Sequence, residues 1–195
     1  MTPLERDDEL AARRADPRYV RLMEATRAAA QQGYDAVSMR ELAETCRMSM
    51  TTIYQFCRSK DRLIAEAHLE NMENFRRRLS ARPPRGATAE DRVLRVMRSF
   101  AKALVVDEVL SRTLMRAMYS LDPEVGEARM SVGNAYRTMI GAAIGDEHVP
   151  HRDAVIGTLG HVIDSVILNW LTGRHDADWV RAELDAGVHA LLGAR

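Results

Sequence analysis

From Arg18 onward the apolar residues recur at helical spacing, beginning with Val20, Met23, Ala28 and Ala30 set among charged side chains and ending at Gly33, where a C-terminal cap would sit. Ser38 and Glu41 then spell a capping box (SMRE) that opens a short helix through Thr45. Ser49 can cap a second short helix over 50–56, and Ser59 a longer one from Lys60 to about Ser80. Helices of fewer than three turns are unstable alone, so the two short ones must be held by packing; Leu42, Ala43, Ile53, Leu63 and Ile64 supply the apolar faces. The stretch from Cys46 to Ser49 has the length of the turn in a helix-turn-helix. RPPRG at 82–86 cannot continue a helix and breaks the chain. Beyond it the pattern predicts five more helices, over 88–106, 107–120, 123–144, 150–173 and 176–193, with Asp122-Pro123 as a cap and first-turn proline and Gly145 and Pro150 as bounds. Residues 1–17 mix charges densely without a packing stripe and read as a flexible N-terminal arm.

Composition agrees with an all-α fold of about nine helices. Aromatic residues make up only 5% of the 195, and long β-branched runs are missing. No stretch approaches the roughly 18 apolar residues of a bilayer span, and the N-terminus MTPLERDDEL is acidic and unlike a signal, which points to a cytoplasmic protein with no membrane partner. Cys46 and Cys57 lack metal-ligand spacing and read as small buried thiols, with a redox role as the lesser alternative. Formal net charge is zero, yet residues 1–85 hold 16 Lys and Arg against 13 Asp and Glu, while the remainder reverses that balance. Local placement, rather than the total, decides affinity for phosphate.

The landmarks from Tyr19 to Leu63 resemble those of the TetR family of transcriptional regulators. They are a helix ending at Gly33-Tyr34, then VSMRELA at 37–43, MSMTTIY at 48–54 and Ser59-Lys60-Asp61, in order and at the family's spacing. The resemblance implies a helix-turn-helix DNA-binding domain over 18–62 and a ligand-binding and dimerisation domain over 63–195. Three positions depart from the family pattern: Arg47 replaces the turn glycine, Cys57 a phenylalanine and Ala30 a core aromatic, with Met23, Met39 and Met48 available to fill the smaller core.

On that reading Met50, Thr51, Thr52 and Gln55 face base edges. Gln55 suits adenine and a threonine methyl suits thymine. Ser38, Thr51 and Tyr54 would donate to phosphate; Lys60, in the first turn of the next helix, would share an anion with backbone N–H groups, and Arg40, Arg47 and Arg58 would add electrostatic affinity around the capping Ser49. Arg76, Arg77 and Arg78 fit a solvated helix face better than a DNA patch.

In the second half, Val155, Leu159, Val162, Val166 and Trp170 belong to an apolar arc of about 180°, wider than a one-sided helix needs. With Leu184, Val188 and Leu191 of the last helix they are expected to form a homodimer interface, which two-fold symmetry would translate into recognition helices roughly 34–36 Å apart on a palindromic operator. Met72, Phe75, Met97, Phe100, Met115, Met118, Tyr119, Tyr136 and Met139 are candidates to line a cavity, and His161, Asp164 and Asn169 to orient a ligand there, with plain core packing or surface as the alternative for each. The segments LSRTLMRAMYSLDPEVG and HVIDSVILNWLTGR resemble, more loosely, the actinobacterial TetR-type repressors of cholesterol catabolism, which implies a hydrophobic effector such as an acyl or steroid coenzyme A thioester. The chain holds no GxSxG, HExxH or phosphate-cradling glycine loop, so neither an enzyme nor a bound metal or cofactor is expected. The rival reading is a structural, nucleoid-type DNA-binding protein without a ligand, which would bind without regard to sequence and with a steep salt dependence.

Overall fold

A computed structural model describes residues 14–193. Their regular structure is entirely helical, and most of the expected arm, residues 1–13, lies outside them. Asp16 and Pro17, placed in that arm by the sequence pattern, instead begin a helix: the Asp16 carboxylate accepts from the Arg18 N–H at 2.8 Å and Pro17 occupies the first turn.

In chain order the helices are α1 (Pro17–Ala30), α2 (Met39–Cys46), α3 (Met50–Phe56), α4 (Lys60–Ala81), α5 (Ala89–Val106), α6 (Glu108–Met118), α7 (Gly126–Ile144), α8 (Arg152–Leu171) and α9 (Ala177–Leu192), with 3-10 turns at Tyr34–Ala36 and Pro123–Val125. Ser38, Ser49 and Ser59 cap α2, α3 and α4 as their spacing suggests, each hydroxyl accepting from the backbone N–H three residues on. α1 stops earlier than Gly33, with Gln31 as its cap; Gly33 then takes φ 109°, which a side chain would strain, and turns the chain into the 3-10 segment. A reciprocal capping box between Thr88 and Asp91, spelled TAED and passed over in the sequence reading, starts α5.

Two apolar cores divide the molecule. The smaller gathers α1 to α3 and the start of α4 around Tyr19, Leu22, Ile53, Leu63 and Ile64. Leu114 and Ala117 of α6 also belong to it. Cys46 and Cys57 are buried there as thiols, and Met39 and Met48 pack on its edge. The larger core joins α4 to α9, with α9 packed on α5 and α8, and α4 packed on α6 and α7.

Of the residues expected at a dimer interface, Val155, Leu159, Val166, Trp170, Leu184 and Val188 are buried inside this larger core. Val162 packs within the subunit against α9, so closely that a side chain at Gly187 would meet its Cγ1 at 3.1 Å, and Leu191 is half-buried against the same core. These eight residues hold α8 and α9 to their own subunit. The arc is wide because two of its faces are used internally. The outward stripe of α8 runs instead through Thr158, His161, Ser165 and Leu168, and that of α9 through Ala182, Ala186 and Ala190. Among the described helices α8 has the length and mean hydropathy, 1.4 in its most apolar window, of a bilayer span, which the sequence reading did not anticipate. Its largest apolar side chains, Leu159, Ile163 and Trp170, are packed in the core, as in a central helix of a globular fold.

Candidate functional site

The turn between α2 and α3 lets α3 pack one side inward and leave its outward face free. Arg47 closes α2 at φ 52°, ψ 47°, the left-handed conformation anticipated where a glycine is usual. Thr51, Tyr54 and Gln55 are exposed along α3 while Ile53 on its opposite side is fully buried, so the short helix is pinned by one residue and free on the face that matters. Tyr54 is 48% exposed. Arg47, Ser49 and Arg58 flank this face in solvent, and Arg40 does so while paired with Glu44 at 3.2 Å.

Four of the expected contacts are already engaged. Ser38 and Ser49 act as caps, and the Ser49 hydroxyl also lies 2.9 Å from that of Thr52, which is half-buried together with Met50. The Lys60 ammonium is not held out toward solvent but sits 4.0 Å from the centre of the Tyr34 ring, and partial burial pushes its pKa down. Tyr34 is the junction the sequence reading missed. Arg116 of α6 covers its other face at 3.9 Å, its hydroxyl donates to Asp61, and Asp61 also accepts from Ser120 just after α6. Burial, with the Asp61 hydrogen bond adding to it, pushes the Tyr34 hydroxyl up to about 12. The start of α4, the turn before α2 and the end of α6 are thereby locked to one another. The spacing of a lone Tyr, Asp and Arg carries no sign of this, because the three meet only in tertiary structure.

The apolar candidates of the second half all join the larger core, but they do not line one chamber. Met72, Phe75, Phe100 and Met115 share a cavity of about 240 Å³ between α4, α5 and α6. Met139 borders a separate recess of about 200 Å³. Met97, Met118 and Tyr136 are buried elsewhere in that core, and Tyr119 is half-buried against it. Tyr136 packs edge-on against Phe100 with centroids 5.3 Å apart, and its buried hydroxyl has no hydrogen-bond partner in the protein. His161 and Asp164 are exposed on α8. Asn169 is half-buried and donates to the Ser165 carbonyl at 2.9 Å. None of these three lines the cavity, and the i, i+3 face shared by His161 and Asp164 points outward from the subunit. Of the polar residues that do line it, His68, Asn71, Asn74, Arg78, Asp107 and Ser111, His68 on α4 is the buried one, 4% exposed. A lone histidine in an apolar stretch reads as core, so only burial and the cavity reveal it.

A wide groove lined by Arg82, Arg85, Arg95 and Lys102 opens along α4 and α5 next to the apolar recess, the two sharing Leu79, Pro83 and Pro84.

Two family models match the chain in consecutive blocks. The model described as bacterial regulatory proteins, tetR family, covers residues 22–67, and that described as tetracyclin repressor-like, C-terminal domain, covers residues 86–191. The chain belongs to the TetR family. Over 189 residues it is 28% identical to the HTH-type transcriptional repressor KstR of Rhodococcus jostii (strain RHA1), spanning 96% of this chain and 88% of that protein. It is 27% identical over the same length to KstR of Mycolicibacterium smegmatis, spanning 96% and 93%. Among solved structures, a TetR transcriptional regulator from Rhodococcus sp. RHA1 superposes with a TM-score of 0.77 at 20% identity, covering 90% of this chain and 95% of that one. FadR from Bacillus subtilis, in complex with stearoyl-CoA, superposes with a TM-score of 0.62 at 17% identity, covering 91% and all of that chain. These likenesses share the fold. The TetR-family chain is a DNA-binding regulator of transcription and not an enzyme.

Proposed function

We propose that this regulator is a repressor that works in the cytoplasm as a homodimer on a palindromic operator and leaves it when a hydrophobic small molecule binds the α4–α9 half. The observation that carries the reading is the free face of α3: Thr51, Tyr54 and Gln55 stand exposed between Arg47 and Arg58 on a helix whose back is anchored by Ile53. Gln55 reads one adenine through its amide, Thr51 a neighbouring thymine methyl, and Tyr54 with the arginines holds phosphates. Dimerisation uses the outward stripes of α8 and α9, where the small side chains Ala182, Ala186 and Ala190 allow close helix approach and Leu168, 46% exposed, gives an apolar contact.

An acyl or steroid coenzyme A thioester is the leading effector. Supporting it are the likeness to KstR, the stearoyl-CoA in the structurally similar FadR, and a cationic groove suited to phosphates beside apolar recesses suited to a tail. The action is one of linkage: an effector that prefers a subunit arrangement with misplaced recognition helices lowers operator affinity by its differential affinity, typically about 1–3 kcal/mol. The test is to select duplexes from a random pool, measure anisotropy at moderate salt, and add oleoyl-CoA. A two-fold symmetric site bound at least about a hundredfold over random DNA, and weakened by the thioester, is expected. Affinity indifferent to sequence would reject the operator reading.

A further inference from the structure

We propose that the acidic run ERDDE at 5–9 docks on its own subunit, in the groove between α4 and α7, with its carboxylates against Arg14 and Arg77. The docking requires neither an effector nor DNA.

The groove has a volume of about 790 Å³ and is lined by α4, α7 and Arg14, with no residue from α8 or α9, so the dimer contact proposed above leaves it open. Its α7 wall is uncharged, built from Ser131, Asn134, Ala135 and Thr138, while the α4 wall carries Glu70, Glu73, Arg76 and Arg77. Both carboxylates of that wall are already matched. Glu70 accepts from Arg27, and Glu73 accepts from Arg76 at 2.6 and 3.0 Å. Arg77 donates only to the neutral Asn74 side chain, and Arg14 is exposed; among the described residues neither is paired with a carboxylate. The Glu73 carboxyl is held below its usual range first by the Arg76 hydrogen bond, and the charges of Arg77 and Arg14 add to it, so both guanidinium groups stand near this one side chain.

The chain carries the matching charge just upstream. Residues 5–9 hold four carboxylates against one guanidinium and lie five to nine positions before Arg14. At roughly 3.3–3.6 Å per residue they reach about 16–32 Å from it. The α7 wall from Ser131 to Thr138 is about 10 Å long at 1.5 Å per residue, so the run can lie along all of it. Phosphate repels the same carboxylates, which argues against this segment as a further DNA contact. Leu10, next in the chain, meets an apolar contact in the half-buried Leu69 and Ala135. Exposed ion pairs are individually weak, but the tether makes this pairing intramolecular, at an effective concentration of about millimolar before any contact forms.

The experiment measures that effective concentration in the full chain. Arg6→Cys, which keeps all four carboxylates, is combined with Asn134→Cys on the exposed α7 wall, and disulfide formation is titrated against glutathione, with the bridge identified by peptide mass; the buried Cys46 and Cys57 are left in place. A value at least about tenfold above the millimolar of a free tether is expected. It should fall to the free-tether level in Asp7→Asn/Asp8→Asn, in Arg14→Gln/Arg77→Gln, and at 1 M salt, where charges are screened beyond about 3 Å. A free-tether value in the parent pair, a value that neither neutralisation lowers, or bridges formed chiefly between chains, which would give the groove to a second copy, would each overturn the proposal. Should Arg14→Gln/Arg77→Gln fail to fold, Asp7→Asn/Asp8→Asn, outside the described helices, still decides.

Discussion

The two cores of this protein are built to opposite ends. Around Ile53 the DNA-binding core is closed, and its functional side chains are exposed on the far side of the helix that Ile53 holds. Around His68 the larger core is less complete: the two ring nitrogens and the Tyr136 hydroxyl are buried without a hydrogen-bond partner, and His68 borders a cavity. A reader of DNA must present a fixed surface to a rigid duplex, whereas a sensor gains affinity by completing what its own core leaves unsatisfied. α6 is common to both, which is why Leu114 can be counted with either.

The largest effect that would test this division comes from Leu114. Leu114→Ala opens space at the seam and should cost about 3 kcal/mol in denaturant unfolding. Because both tryptophans, Trp170 and Trp179, lie in the C-terminal half, their fluorescence reports that half while circular dichroism reports all helices. Coincident transitions in the variant would show the two cores still melt together; a dichroism transition that precedes fluorescence would show that α6 is what joins them.

Next comes pH. The folded pKa of His68, about 4, lies below the ordinary 6.5, so between these values the unfolded chain binds a proton that the folded one refuses. That stability is whole above pH 6.5 and falls as pH drops toward 4. Between pH 7 and pH 5 the loss should be about 2 kcal/mol, and His68→Leu should flatten that slope in denaturant titrations. An unchanged slope would remove the distinction drawn for the sensing core.

On the DNA side the expected effects are smaller. Gln55→Ala should cost about 1–2 kcal/mol on the preferred duplex and relax choice at one base pair, read by comparing singly substituted operators, while Tyr54→Phe weakens every duplex alike. Smallest is Arg47→Gly. Relief of the left-handed conformation should stabilise the protein by about 1 kcal/mol, while loss of one phosphate contact lowers the salt dependence of DNA binding by about one ion. Stabilisation without that change in slope would place Arg47 outside the interface.

The DNA-binding region was the more legible of the two in sequence because its determinants are local. Serine caps, a turn of fixed length and the alternation of Ile53 with Thr51, Tyr54 and Gln55 act within a few residues of one another. Even there the packing of Lys60 was not legible, since the ring beside its ammonium lies twenty-six residues earlier in a separate turn. In the C-terminal half, helix bounds were legible while facing was not. A wide apolar arc shows that α8 is buried on two sides without showing against what, and Val162 and Trp170, expected to meet a partner, meet their own subunit. His161 and Asp164 shared a face, as their spacing required, but that face points outward.

By itself the sequence determined the helices, their caps, the break at 82–86 and the side of α3 left free, all consequences of periodicity and short-range hydrogen bonding. Only the tertiary structure decided that Tyr34 is gripped by Lys60 and Arg116, that α6 serves both cores, and that His68 lines a cavity. Such contacts join residues far apart in the chain, and no local preference of either partner carries the identity of the other.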